Sequence, residues 1–576
     1  MDLHRLAHRN LQLAMHAAVA VLLAGMTALG VWSILATWHP LPFWDHWDTV
    51  SDYEHFLRDG FDWSRVIAQH NEHRIVFSNL INLADYQWFE GGGALQLAIN
   101  SIVSCVLIAL LVRFSGAHRR GLSGIPGFLF CTGMGLSVCQ LVNLSWAFQT
   151  AWFLVALFAT LAFRSHERVV PLGGRDMPRT DVRWLAASWA LAAATTFSNA
   201  NGMLAWVALL VLGRFLRHPR RTQIATAIAG AAFIALYFRG YWSPPQHPSI
   251  PRALRQPLAL AEFMAIYASN PMQRVGVPAQ YVLGAAVVLV ALAHVLIFLC
   301  RKSALDRDRA FLASFVTFLL GTMAITAAGR LGFGGPETAN ASRYVTYGLL
   351  LMSSVMLLLA GRKPAGAPVP WLLPALTLLL VVSTWSGLTG AQFRDAVWQR
   401  RVRVDVELCD QFNACTVQDY LGVYPDARLA RERMDFLRVH HLSLFAPWFA
   451  PRVPPAALAA IPGVASLPRC QGSFDALTRS TDGISIANGW MSLPSDRRAL
   501  PDFVTLVRPD GHWLGGGGMV DEREDVQRSL HLWQPGPWRS YGFRAWTRTD
   551  GDSLVAVGFF RGGTERCVLA WKRSGS

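Results

Sequence analysis

Residues 11–37 read LQLAMHAAVAVLLAGMTALGVWSILAT, a run without a single Asp, Glu, Lys or Arg. About 20 mostly apolar residues suffice to cross a bilayer as a helix. The run is too long for the apolar core of a cleavable leader, and no A-x-A-like site follows it. It therefore reads as a retained first membrane span. Working outward from it, further apolar runs lie near 93–112, 124–142, 146–163, 184–198, 203–216, 222–239, 280–300, 310–328, 343–360 and 370–389. This predicts eleven spans. The fifth and sixth are short, and they read equally as two half-helices meeting at Phe197-Ser198-Asn199-Ala200-Asn201-Gly202, with the break facing a cavity.

The distribution of charge orients these spans. Arg113/Arg119/Arg120, the segment Arg164 through Arg183, Arg214/Arg217/Arg220/Arg221, Arg301/Lys302/Arg307/Arg309 and Arg362/Lys363 fall in alternate connections. The intervening segments 38–92, 143–145, 199–202, 240–279 and 329–342 are poor in Arg. Basic loops stay in the cytoplasm. The expectation is a bacterial inner-membrane protein with a cytoplasmic N-terminus and a periplasmic C-terminal region. The formal charge of +15 does not argue for nucleic acid, because the basic residues are dispersed between apolar runs rather than gathered in one patch. The composition agrees with a bilayer environment: 52% of residues are hydrophobic and 15% charged, against about 25% charged in soluble domains.

Residues 391–470 read as a helical or irregular linker with Pro-rich stretches such as Val453-Pro454-Pro455. From residue 471 short alternating runs appear at Ile484–Trp490, Phe503–Val507, Trp538–Trp546 and Leu554–Phe560. They predict a small β-sandwich over 471–576. Cys105, Cys131, Cys139 and Cys300 lie in or beside apolar runs and read as small hydrophobes. Cys409, Cys415, Cys470 and Cys567 lie in the C-terminal region, and an even number there fits disulfides in an oxidising compartment. Their spacing does not fix the connectivity; Cys409–Cys415 and Cys470–Cys567 is the expected pairing.

The chemistry concentrates in the first long connection, 38–92. It begins Pro42-Phe43-Trp44-Asp45-His46-Trp47-Asp48 directly behind the first span and runs on to Gln69-His70-Asn71-Glu72-His73-Arg74. Interfacial aromatic belts explain the Trp residues. They do not explain two carboxylates one helical turn apart at the membrane boundary. Helix capping behind Pro42 is the bland reading of Asp45 and Asp48, and a surface helix face that of His70 to Arg74. His70 and His73 stand at helical spacing for zinc, but no third ligand is evident, so no metal site is assigned. Asn143, Trp146 and Gln149 form one polar set at span ends, and Ser198, Asn199 and Asn201 another; interhelical hydrogen bonding is the alternative for both.

A carboxylate just after the first span, in a long first external loop of a protein with ten or more spans, resembles the GT-C glycosyltransferase superfamily. The architectural resemblance covers about residues 11–390. It implies a polyprenyl-phosphate-linked sugar donor, a glycan or lipid-linked acceptor, and a catalytic base among the loop carboxylates, Asp45 first and Asp48 second. A base must take the acceptor hydroxyl's proton, and the leaving phosphate needs cationic stabilisation. The phosphate-binding candidates are Arg74, His73, Arg330, Arg343 and Tyr344. The candidates around acceptor and sugar are Glu72, His70, Trp146, Gln149, Asn199 and Asn201. No cofactor is required by this chemistry, although a divalent cation could supply the charge. The C-terminal segment Ile484-Ser485-Ile486-Ala487-Asn488-Gly489-Trp490 looks like β modules that accompany some bacterial surface-glycan enzymes. An O-antigen-type polymerase or ligase, and a lipid-linked-glycan transporter or flippase, are the competing readings.

Overall fold

The computed structural model describes residues 2–122, 124–170, 180–245, 247–301, 306–361, 369–454, 461–530, 540–548 and 554–570, with side chains from Ala14 onward. Lys302, Arg362, Lys363 and Pro455, the middle of the basic segment 164–183 and the start of the expected strand at Trp538 lie outside the described residues.

Among the described residues nine helices are long and apolar enough to cross a membrane. They are Ala14–Thr37, Ala94–Phe114, Gly124–Ser145, Ala147–His166, Arg220–Phe238, Val277–Leu299, Arg307–Phe333, Ser342–Ala360 and Leu372–Thr389. The protein is thus a multi-pass membrane protein. Exposed large apolar side chains such as Ile224, Ile228, Val282 and Leu289 suit a lipid rather than an aqueous surround. The count differs from eleven at the fifth and sixth runs. These are helices of 15 and 12 residues, Val182–Thr196 and Leu204–Phe215. At about 1.5 Å per residue neither reaches across a hydrocarbon core about 30 Å thick. The break is pinned from both sides: the Trp206 indole N–H of the second helix donates to Thr196 Oγ1 of the first at 3.1 Å, and the Phe197 carbonyl accepts from the distant Val76 N–H at 2.9 Å. The half-helix reading is the one the backbone adopts.

The chain divides into two compact units. The first holds Met1–Trp38, Asp59–Ala84 and Ala94–Phe393; the second holds His39–Arg58, Asp85–Gly93 and Arg394–Ser576. The connection 38–92, expected as one loop of the membrane domain, is therefore shared between them. Within the first unit it forms a two-stranded hairpin, β1 (Gln69–His70) and β2 (His73–Arg74), with His70 directly opposite His73. The helical spacing assumed for these two His residues does not occur. Asn71 takes a left-handed φ of 49°, which Asn tolerates and a continuing helix does not allow.

In the second unit, seven strands follow: β3 (Gln471–Arg479), β4 (Ser485–Ser492), β5 (Phe503–Val507), β6 (Trp513–Asp521), β7 (Gly542–Thr547), β8 (Val555–Phe560) and β9 (Glu565–Ala570). They form a single antiparallel sheet in the order β3-β4-β7-β6-β5-β8-β9, so the expected two-sheet sandwich is corrected. Its two ends approach each other. Cys470 N–H donates to the Val568 carbonyl at 2.9 Å, Val568 N–H donates to the Pro468 carbonyl at 3.0 Å, and Cys470 is disulfide-bonded to Cys567. The second disulfide joins Cys409 to Cys415. One face of the sheet packs Ala487, Met491, Val504, Leu506, Phe543 and Phe560 together.

The other face is covered by helix rather than by a second sheet, which is why β5 and β8 are buried along their whole length, Thr505 included. The helix Ala391–Gln411 and the turn after it lie against the Gly515–Gly518 stretch of β6. A Cβ on Gly516 would stand 2.7 Å from the Phe412 ring, and one on Gly518 3.1 Å from Leu408. Arg544 pairs with Asp405, and Arg401 with Asp521, each at 2.9 Å. Residues 391–470 are thus more than a linker: they also contain the helices Val417–Val423 and Ala427–Val439.

The loop segments assigned to this unit are fastened by buried polar contacts. His39 Nε2 lies 2.9 Å from Glu407 Oε2, and His39 Nδ1 accepts the Leu41 N–H at 3.2 Å. The ring nitrogen facing Glu407 is therefore the donor, and His39 is neutral. Burial lowers its pKa to about 4. Glu407 also receives Arg452 Nε at 2.9 Å, and Arg403 donates to the His39 carbonyl at 3.1 Å.

Candidate active site

Glu72 stands at the turn of the β1–β2 hairpin, and its neighbour His73 and two side chains from distant parts of the first unit, Arg330 and His247, converge on it. Arg330, at the C-terminal end of the helix Arg307–Arg330, forms an ion pair with Glu72 Oε1. A cation is favoured at that end by the helix dipole. His73 Nε2 lies 3.2 Å from Oε1 and His247 Nε2 3.2 Å from Oε2. His73 Nδ1 accepts the Ala200 N–H at 3.4 Å, so its Nε2 carries the proton and donates to the carboxylate. Burial first, and then the neighbouring His73, push the His247 imidazole below its ordinary range.

These groups line a cavity of about 560 Å³. That volume lies within the range of small-molecule sites. Asn201 and Ala200, from the break between the two short helices, form part of its wall, as the half-helix reading anticipated. Asn201 Nδ2 donates to Thr326 Oγ1 at 3.3 Å. Trp152 contributes an aromatic wall, edge-on to Tyr344 at 6.2 Å and to Tyr347 at 5.6 Å. Arg343 also lines the cavity; its guanidinium lies 5.2 Å from the Tyr344 ring centroid, and no carboxylate among the described residues pairs with it. Two guanidiniums, two imidazoles and one carboxylate therefore line the cavity; the carboxylate pairs with Arg330, His73 and His247, and Arg343 stands at the wall without an acidic partner among the described residues.

Of the expected residues, the cavity gathers Glu72, His73, Asn201, Arg330, Arg343 and Tyr344. Arg74 is not among them. Its Nε donates to the Tyr237 carbonyl at 2.9 Å, Nη1 to Ile67 at 2.8 Å and Nη2 to Arg239 at 2.8 Å. With every guanidinium nitrogen donating to a backbone carbonyl, Arg74 clamps the hairpin to the segments around Ile67 and Tyr237 and stands outside this cavity. Asn199 accepts the Asn201 N–H at 3.2 Å and caps the turn. His70 and Trp146 both pack on Phe148, with centroids 5.0 and 6.3 Å away, and neither lines this cavity. Gln149 is buried with its Oε1 unpartnered, again outside the wall.

The two aspartates belong to the second unit. Asp48 opens the helix Asp48–Asp59 and accepts Tyr424 Oη at 2.7 Å and Arg433 Nη1 at 2.9 Å. A carboxylate so engaged ties that helix to Ala427–Val439. Asp45 lies in the short 3₁₀ turn Trp44–Trp47, half-buried, behind a Trp44 held at a left-handed φ of 49°. Such backbone strain in a non-glycine residue persists where surrounding structure enforces it, often at functional sites. His247, Trp152 and Thr326 were not singled out from sequence. His247 had one signal, a lone imidazole among prolines in the 240–279 connection.

Fold and cavity define a class: polytopic α-helical membrane proteins carrying a C-terminal, mainly β domain, with a largely apolar cavity in the membrane unit that holds a cluster of charged and imidazole side chains. No family model matches the chain, and no curated protein does. Among solved structures it is similar to ArnT from Cupriavidus metallidurans in the apo state. The TM-score is 0.32 and the identity 14%, over 71% of this chain and 82% of that one.

Proposed function

We propose that this protein is an integral-membrane glycosyltransferase of the GT-C type. It moves a sugar from a polyprenyl-phosphate donor to a cell-envelope glycan or lipid-linked acceptor on the periplasmic face of the bacterial inner membrane. The observation that supports this most is the convergence of Arg330, His73 and His247 on Glu72 in a cavity of about 560 Å³ that Arg343 also lines. In transfer, the acceptor hydroxyl oxygen bonds to the anomeric carbon while the carbon–oxygen bond to the donor phosphate breaks. The phosphate leaves with the electron pair, and the hydroxyl proton passes to a carboxylate. Arg343, having no acidic partner, binds the donor phosphate; a guanidinium matches phosphate in charge and in fork geometry. Glu72 keeps Arg330 and His247 in place and is a positioning residue. Asp45 is the proposed base, since Asp48 is engaged by Arg433 and Tyr424.

The test is a transfer assay in lipid with a panel of polyprenyl-phosphate sugars, comparing wild type with Asp45→Asn and Arg343→Ala, with and without a chelator. Transfer that is lost in Asp45→Asn and weakened in donor affinity in Arg343→Ala supports the reading. The chelator arm decides whether a divalent cation contributes. Protein that moves lipid-linked glycan across the bilayer without forming a glycosidic bond would instead be a transporter.

A further inference from the structure

The first unit has a second cavity, of about 510 Å³, that shares no wall residue with the Glu72 cavity. Ala190, Ala193, Ala194 and Phe197 line it from the helix Val182–Thr196 and its end; Phe77 and Leu236 line it from the facing segments. The alanines leave space that longer side chains would fill, and Ala190 and Leu236 are exposed. The walls are apolar and lie on helices with a lipid-exposed surface, so the cavity suits a hydrocarbon chain better than water. At the rim stand Arg74 and Arg239. Arg74 has spent its guanidinium on backbone carbonyls. The Arg239 side chain is exposed, and among the described residues nothing pairs with its guanidinium.

One unpaired guanidinium matches the single negative charge of a phosphodiester. No acidic side chain lines the groove, so the ammonium of a zwitterionic headgroup would find no partner there. We propose that this groove binds one chain of an anionic glycerophospholipid of the surrounding bilayer, with its phosphate on Arg239. The site is separate from the proposed glycosyl transfer and does not depend on it.

The experiment is native mass spectrometry of the protein released from nanodiscs of equimolar phosphatidylglycerol and phosphatidylethanolamine. Wild type should retain one phosphatidylglycerol in preference to phosphatidylethanolamine. Arg239→Gln, a surface change that leaves packing intact, should lower that preference about fivefold, as expected for one Arg at a lipid phosphate. Ala193→Phe, which fills the groove, should abolish retention of either lipid while unfolding at the wild-type temperature. Unchanged preference in Arg239→Gln would overturn the assignment. Displacement of the retained lipid by a short polyprenyl phosphate would also overturn it, because the groove would then belong to the donor.

Discussion

Replacing Glu72 with Gln keeps the side chain's volume and removes the charge on which Arg330, His73 and His247 converge. The Glu72 and Arg330 side chains retain 17% and 23% of their exposure, so the pair is neither surface nor deep core. Exposed pairs contribute about 0–1 kcal/mol, and breaking a fully buried pair costs about 3–5 kcal/mol. An intermediate cost of about 2 kcal/mol is expected for Glu72→Gln. Arg330→Gln should cost a similar amount. Because the two groups act as one unit, the double variant should cost about 1–2 kcal/mol less than the sum of the singles. Equilibrium unfolding of the four proteins in one detergent, followed by Trp fluorescence, measures all the terms. Additivity within about 0.5 kcal/mol would refute the claim that Arg330 is held by Glu72, and with it the arrangement of the cavity.

Three further outcomes follow from particular contacts. Reducing Cys470–Cys567, which closes a separation of 97 residues, should destabilise the C-terminal sheet by about 4–5 kcal/mol in the loop-entropy account; denaturant unfolding with and without reductant reads it. Gly516→Leu should cost about 1–3 kcal/mol by forcing a side chain into Phe412, and Phe412→Ala in the same chain should restore only part, since the Val504 carbonyl is equally close.

His39 and His46, both fully buried, have pKa values lowered to about 4, chiefly by burial. Their folded-state pKa lies below the unfolded value near 6.5, so the unfolded chain binds more protons between the two. Stability is full above about pH 6.5 and falls as pH drops toward 4, by up to about 1.4 kcal/mol per pH unit for each His. A urea midpoint series from pH 7 to 4.5 with His46→Asn beside wild type should show a shallower decline in the variant. Equal slopes would contradict the neutral, buried assignment.

The membrane spans were legible because each is a local property: an uninterrupted apolar run reads the same whatever packs beside it. The break at residues 197–202 was legible for the same reason, since Ser198, Asn199 and Asn201 interrupt two runs each too short to cross a bilayer. The C-terminal strands were visible by alternation, but the sheet count was not. Whether β5 faces a second sheet or a helix depends on Phe412 and Leu408 meeting Gly516 and Gly518, a contact between segments about 100 residues apart. Arg74 and Arg330 had the same chemical promise in sequence. Only the backbone carbonyls of Tyr237, Ile67 and Arg239 distinguish the one already engaged from the one lining a cavity. Asp48 was likewise paired with Asp45 by spacing, while its partners Tyr424 and Arg433 come from a distant helix and the turn before it. In sequence Glu72 stands among the acceptor and sugar candidates, while its partners Arg330 and His247 lie far along the chain.

The decisive measurement is the rate of sugar transfer from a polyprenyl-phosphate donor by the purified protein in lipid, wild type beside Asp45→Asn and Arg343→Ala. Wild type should transfer, Asp45→Asn should lose at least about 100-fold from the missing general base, and Arg343→Ala should raise the donor KM. Transfer unaffected by either change, or no transfer from any donor by folded wild-type protein, would contradict the proposed function.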